Sequence, residues 1–436
     1  MKLLLIQSYL GRKEKPILPL GIAYLANRLG GHKVSVFDPN IEDDPYGAMK
    51  KIINDFNPEV VGISLRNIDT ASYGDMYYHY KALEPTIRII KNAAPRSYLV
   101  IGGAAFSLFA EELMNRHPQI DFGVYLEGEK IFPELLNNLS DPERVKGIYY
   151  RRNREVFFSG MPPLPDLENI SPDFSFFNIS RYNDNNGGIG VQSKRGCMLN
   201  CSYCTYPFLT GNSLRLRPHQ KVVDEIEQLI LKYGITQFTF ADSVFNIPKQ
   251  HAVDICEEII KRGIKAGWSA FFSFKGIDED FLKLAHKAGC YLFIFSPDGY
   301  SDKALKVLKK EINKKDIKRV YNLAKRFKLS KFDFSFFINA PGQSYWDLLA
   351  LLWLLIKTNF ILPRRKFIHI GVNIPRIEPH TGLYKLAISE GTLSPANSLL
   401  PLDTALLPSI YYRNPHNKSA EGVFKFLIHL KNIWKH

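Results

Sequence analysis

RGCMLNCSYC, residues 195–204, gathers three of the chain's five cysteines, Cys197, Cys201 and Cys204, into eight positions of a 436-residue sequence. The other two, Cys256 and Cys290, lie in apolar patterns and read as small buried hydrophobes. The opening MKLLLIQS is too short for a signal-peptide core and runs directly into polar residues and prolines, so it reads as a first strand. An odd cysteine count without an export signal argues against a disulfide framework, and a cytoplasmic location is expected. Clustered thiols in a reducing compartment serve metal or redox chemistry. A closed structural zinc site needs four ligands, and no nearby second CxxC or histidine pair completes one; His219, the one histidine close by, falls in a helix-start pattern. A 4Fe-4S cluster normally takes four thiolates, so three would leave one iron open.

Working outward from that loop, GIGVQSKRG reads as a strand directly before it. Further strands are predicted at 237–241, 268–272, 291–295, 332–338 and 367–372, with helical patterns between them. Six strand-helix units imply an open, partial barrel whose chemistry sits at the carboxyl ends of its strands. The cysteine loop occupies such an end.

The first third alternates in the same way, with strands predicted at 3–7, 34–37, 60–65, 98–101 and 122–125. Five strands separated by helices predict a parallel sheet covered on both faces. In a flavodoxin-like order, a ligand rests beyond the carboxyl ends of strands one and three. The loops there are SYLGRKEKPILP and RNIDTASYGD; Gly102 and Gly103 follow strand four, and LEGEK, containing Gly128, follows strand five. A proline-rich passage at 159–174 marks the boundary. The fold class is thus α/β throughout, in four parts: 1–145 as the first domain, 146–184 as linker, 185–395 as the barrel, and 396–436 as a small helical extension.

Lysine and arginine number 57 against 43 acidic residues, a net charge of +14 that favours anionic partners without choosing among them. Much of the excess lies at 303–331, where Ile317, Val320, Tyr321 and Ala324 keep helical spacing; the lysines there read as the wet side of ordinary helices rather than a nucleic-acid surface. No apolar run approaches the roughly 20 residues that span a bilayer. At the C-terminus, Val423, Phe426, Leu427, Leu430, Ile433 and Trp434 share a helical face that is expected to dock on the barrel, with peripheral membrane contact as the alternative.

CxxxCxxC with Tyr203 just before the last cysteine, placed after the first strand of a partial barrel, resembles the signature of radical S-adenosylmethionine (SAM) enzymes. RPHQKVVDEIEQLILKYGITQFTFADSVFN, SPDGYSDKALKVLKK, FFINAPGQS and IPRIEPHTGLYKLAISEGTL resemble later parts of that barrel. PLGIAYLANRL, PEVVGISL, VIGGAAFS and LEGEKIFPELL resemble the cobalamin-binding domain of the cobalamin-dependent branch. The resemblance implies a 4Fe-4S cluster on Cys197, Cys201 and Cys204, SAM bound at the open iron, cobalamin in the first domain, and an external one-electron reductant such as a flavodoxin or ferredoxin. It places Tyr203 near the adenine, Asp242 on the SAM ammonium or ribose, and Asp298 on the ribose, although Pro297-Asp298-Gly299 stands where the family often has Glu-Ser-Gly.

Many cobalamin domains carry Asp-x-His-x-x-Gly after strand one, whereas this loop has no histidine. The resemblance therefore implies cobalamin without a histidine ligand, with Arg66 as the candidate at its lower face and Asn67 and Asp69 beside it. A guanidinium offers no lone pair to cobalt. The implied activity is methyl transfer to an unactivated carbon or phosphorus through methylcobalamin. The alternatives are a ring-closing or rearranging enzyme of the same branch, or a cluster- and cobalamin-carrying protein without catalysis.

Overall fold

The computed structural model describes residues 1–183, 188–361 and 367–433, the side chains of the last stretch as far as residue 427. The chain divides into two compact units, Met1–Thr70 with Tyr77–Ile189, and Ala71–Met76 with Gly190–His436.

The first unit is built on β1 (Lys2–Gln7), β2 (Lys33–Phe37), β3 (Val60–Ser64), β4 (Tyr98–Gly102) and β5 (Phe122–Val124). These pair in parallel in the order 2-1-3-4-5, as expected for a flavodoxin-like winding. Leu3, Leu4, Ile6, Val61, Leu99 and Ile101 are fully buried, because a sheet covered on both faces leaves neither side of its central strands to water. The winding reverses between β1 and β3, which leaves their carboxyl ends as the open crevice.

The segment 146–184, expected as linker, instead begins with two more strands of the same sheet. β6 (Ile148–Arg152) pairs antiparallel with β5, and β7 (Glu155–Phe158) pairs antiparallel with β6. Asn153 and Arg154 turn this hairpin with φ of 53° and 72°. That is the left-handed pair a tight two-residue hairpin demands, formed without the glycine that usually announces it. Tyr149 stacks on Phe158 with centroids 4.5 Å apart, so aromatic cross-strand packing supplies what the turn chemistry lacks.

The second unit carries β8 (Gly190–Val191), a short antiparallel ribbon of β9 (Lys194–Arg195) with β10 (Arg215–Leu216), and then β11 (Gln237–Phe240), β12 (Gly267–Phe272), β13 (Cys290–Asp298), β14 (Lys331–Phe337) and β15 (Ile368–Asn373). β8 and β11 to β15 form one parallel six-stranded sheet in sequential order. Its core is unusually aromatic. Phe293 stacks on Phe332 at 5.1 Å and Phe295 on Phe334 at 5.4 Å, while fully buried Trp268 donates its indole N–H to the Ala288 carbonyl at 2.7 Å.

The C-terminal helix Ser419–Ile433 buries Ala420 and Phe424, with Phe424 edge-on to Tyr73, whose hydroxyl donates to Glu421. The expected face is therefore rotated: Phe426 is exposed, and the side chains of Leu430, Ile433 and Trp434 lie outside the described residues. The rotation follows from Tyr73 and Glu421, which fix the helix from its first turn.

Gly103 sits at φ +99°, and a Cβ there would lie 2.6 Å from the Leu65 carbonyl oxygen, which accepts a hydrogen bond from Ala105 N–H. Gly103→Ala is expected to cost about 1–3 kcal/mol. A fall of several degrees in the melting temperature of the cofactor-free protein would check it; an unchanged melt would show that the turn relaxes.

Candidate functional site

The cysteine loop leaves the sheet at its carboxyl edge and is fastened by backbone at both ends. Gly196 holds φ +91°, and a Cβ would fall 2.0 Å from the Ser213 carbonyl oxygen, so only glycine lets the chain cross there. Cys197 N–H donates to the Gly211 carbonyl at 3.1 Å and Cys204 N–H to that of Cys201 at 3.1 Å. Between them, Ser202 N–H donates to the Leu308 carbonyl at 2.9 Å, while its own carbonyl accepts from Leu383 N–H at 2.6 Å. Gly382 is pressed against Ser202, and His380 stacks on Phe208 with centroids 3.9 Å apart. The EPHTGL segment is thus a brace for the loop, a role its sequence did not reveal.

Cys197 is buried and Cys201 and Cys204 are half-buried, all as free thiols. Burial pushes the Cys204 thiol up to about 12 and also raises Cys201, against the pull of Lys310. Such thiols become anionic when a metal takes the place of their protons. Among the described residues, no three histidine, cysteine or acidic side chains converge closely enough to hold one metal ion. The all-thiolate donor set is the soft one that iron–sulfur clusters take.

Tyr203 donates its hydroxyl to Asp298, whose Oδ2 also lies 2.5 Å from Lys310 Nζ. Lys310 additionally donates to the Ser296 carbonyl at 2.7 Å and sits 5.4 Å from the centre of the Tyr203 ring, which meets Phe337 edge-on. Burial raises the Asp298 carboxyl despite the neighbouring Lys310. Burial also opposes the Lys310 charge, but Asp298 and then Cys201 outweigh it and lift its pKa. Asp298 itself adopts φ +63° at the end of β13, a left-handed turn that aims its carboxylate back at the loop. In the sequence Lys310 is one lysine among many, with no local signal that it is the buried one.

Asp242 departs from its expected role. Its side chain is wholly buried, Oδ1 accepting from Ser193 N–H at 2.8 Å and Oδ2 from Lys194 Nζ at 2.9 Å, with the Ser193 hydroxyl on the same oxygen. Lys194 also donates to the Phe245 carbonyl at 2.9 Å. The carboxylate is committed to joining β9 to the end of β11 and presents nothing to a ligand.

In the first unit, Arg66 and Asn67 are exposed just past β3, and Asp69 is buried. Gly102 closes β4, Gly103 makes the turn described above, and Gly128 begins the helix Gly128–Leu136 after β5. No histidine stands on the loop after β1, but His79 from farther along is buried beneath it, its Nδ1 2.8 Å from the Leu10 carbonyl. Tyr77 hydroxyl donates to the Gly11 carbonyl at 2.6 Å. Both residues fasten the loop.

A partial barrel with a three-cysteine loop beyond its first strand, together with a separate 2-1-3-4-5 sheet open at its switch point, defines a two-domain cofactor enzyme of the radical SAM type. The family model described as the Radical SAM superfamily matches residues 191–355, and that of the B12 binding domain matches residues 9–136. An uncharacterized methyltransferase of Pyrococcus horikoshii is 30% identical over 335 residues, covering 75% of this chain and 70% of its own. The anaerobic magnesium-protoporphyrin IX monomethyl ester cyclase of Rubrivivax gelatinosus is 29% identical over 323 residues, 70% of this chain but only 56% of its own. The structure of the radical S-adenosylmethionine methyltransferase TsrM from Kitasatospora setae, with tryptophan substrate and a SAM analogue bound, superposes with a TM-score of 0.79 at 20% identity, covering 96% of this chain and 86% of that one. The chain belongs to the cobalamin-binding branch of the radical SAM superfamily.

Removing one partner from a buried ion pair leaves an uncompensated charge. Asp242→Ala is therefore expected to destabilise the second unit by roughly 3–5 kcal/mol. Denaturant unfolding of the cofactor-free variant checks this; wild-type stability would return Asp242 to the list of ligand-facing groups.

Proposed function

We propose that this chain is a cobalamin-dependent radical SAM methyltransferase acting on an unactivated carbon or phosphorus centre in the cytoplasm, with an external one-electron protein reductant. The observation that carries the reading is the braced loop, which holds three thiols, and only three, at the carboxyl edge of an open parallel barrel. Cys197, Cys201 and Cys204 would hold a 4Fe-4S cluster and leave one corner for SAM. When bound, the cluster and SAM supply one-electron cleavage, and cobalamin supplies a methyl carrier.

The remaining work belongs to the protein. Lys310 places a fixed positive charge beside Cys201 and Cys204, offsetting the negative charge that thiolates gather there. Asp298 holds Lys310 and Tyr203 in register, a tie it would share with the ribose hydroxyls assigned to it. Tyr203, edge-on to Phe337 and tied through its hydroxyl, has a fixed ring to offer the adenine. Arg66 and Asn67 after β3, Gly102 and Gly103 at the end of β4, and Gly128 after β5 are assigned to the cobalamin crevice. Arg66, just past β3, would offer cobalamin a cation, and the loop after β1 has no histidine to offer it. Region 396–436 is assigned as an extension of the barrel.

A second reading is kept because of the cyclase relative: closure of a ring without methyl transfer. Methyl transfer leaves one added methyl group on the product, and ring closure leaves none.

Anaerobic reconstitution with iron and sulfide, followed by hydroxocobalamin and SAM, tests the proposal. Cys201→Ala is expected to lose bound iron and all formation of 5'-deoxyadenosine and methylated product, read by iron assay and chromatography. Full iron binding in that variant would overturn the ligand assignment. Product gaining no methyl group would transfer the reading to the cyclase.

A further inference from the structure

The helix Tyr345–Ile356, sequence YWDLLALLWLLI, covers the outside of the barrel after β14 and differs from the other helices there. Its inward face buries Leu348, Leu351 and Leu355 as an outer barrel helix should. Its outward face is apolar too: Trp346 is 76% exposed, Leu349 39%, Trp353 59% and Ile356 42%. The π-helical turn Lys357–Ile361 continues the stripe with Phe360 at 56% and Ile361 at 58%. Positions 346, 349, 353, 356 and 360 are spaced by three and four, so they form one continuous ridge. Asp347, which caps the helix through Ser344, is the only charged residue in 345–356. A helix apolar all round is ordinarily buried, and a contiguous exposed patch of this kind marks an interaction surface.

What the ridge meets is indicated by its neighbour. Tyr321 of the helix Lys314–Arg326 hydrogen bonds Thr358 at 2.6 Å, which sets that helix beside the ridge. Its outer side exposes Lys315, Lys318 and Arg326, followed by Lys328, with Asp316 its single acidic residue. An apolar ridge carrying two tryptophans, flanked by a cationic helix, has the composition of an element that lies in the headgroup region of an anionic bilayer. Tryptophan is suited to that boundary because its ring is apolar and its N–H polar. Among the described residues no helix is long and apolar enough to cross a membrane.

We propose that the face formed by Trp346, Leu349, Trp353, Ile356 and Phe360, with Lys315 and Lys318 alongside, docks the enzyme on anionic lipid surfaces. The assignment is independent of the reaction catalysed. It also moves membrane contact from the C-terminal helix, which is held by Tyr73 and Glu421, to the barrel flank.

The test is flotation of the cluster-loaded protein with phosphatidylcholine vesicles, with and without phosphatidylglycerol. Wild type is expected to float with the anionic vesicles, and to do so at least about tenfold more weakly when salt screens the headgroups or when phosphatidylglycerol is omitted. Its tryptophan emission should shift to the blue on binding, since Trp346 and Trp353 leave water. Trp353→Ser with Phe360→Ser, and separately Lys315→Glu with Lys318→Glu, should each lose flotation while keeping the cluster absorption spectrum, as exposed positions allow. Phe426→Ser should float as wild type does. Absence of flotation, flotation unaffected by both double variants, or its loss in Phe426→Ser alone would overturn the proposal. So would a concentration-dependent dimer abolished by Trp353→Ser, which would assign the ridge to a second copy of the chain.

Discussion

Three thiols serve one cluster only if the loop that carries them has almost no freedom, and that requirement organises the second unit. A ten-residue loop without regular structure must find partners for its own N–H and carbonyl groups or leave them to water. Here they are taken up by segments far apart in sequence: Gly211 after the loop, Leu308 beyond β13, and Leu383 near the end of the barrel. Each tie reaches a different helix end: Gly211 caps Tyr206–Thr210, Leu308 caps Asp302–Val307, and Leu383 lies in the first turn of Gly382–Ser389. The loop is therefore correct only when the whole half-barrel has closed, which couples completion of the fold to creation of the site.

The electrostatics follow the same logic. Burial penalises the charges that the site must carry, and the protein answers with two buried lysine–aspartate pairs. Lys194 with Asp242 lies where the sheet delivers the chain into the loop, and Lys310 with Asp298 lies where β13 ends against it. Buried pairs of this sort add little net stability over an apolar substitute, because desolvation offsets most of their attraction. Their contribution is geometric: each fixes a strand end relative to the loop in a way that hydrophobic contact, being non-directional, does not. The second pair also leaves a cation close to two thiols, which links the packing of the loop to its chemistry.

The period of the hydrophobic pattern made the architecture legible. Strands buried on both faces announce themselves as apolar runs, and nine of the main strands fall within a residue or two of their expected positions, while β13 runs three residues further, to Asp298. The cysteine spacing made the centre of the site legible. What stayed hidden was everything decided by pairing across the sheet. Asp242 looks like a ligand-facing carboxylate at a strand end because the sequence does not show that Lys194, forty-eight positions away, turns inward to meet it. Lys310 is concealed by its own surroundings, since a run of lysines gives no sign of which one is buried. The hairpin of β6 and β7 is hidden because its turn is made by Asn153 and Arg154 and its packing comes from stacked aromatics rather than from a glycine turn.

The helix Tyr345–Ile356 is the place where local and global rules disagree. Its capping box and its buried leucines fit the barrel, yet its outer face breaks the pattern that its cationic neighbour keeps. Consistency across levels is what makes a sequence fold to one structure, so a violation that persists usually reflects a demand other than stability. An exposed ridge of tryptophan, leucine and phenylalanine promotes self-association unless something restrains it, and the positive charge of Lys315 and Lys318 beside it opposes the approach of a second such surface. The same charge favours an anionic one. Specificity for a partner of opposite sign thus arises from a repulsive element as much as from an attractive one, and the two helices together state that preference more clearly than either does alone.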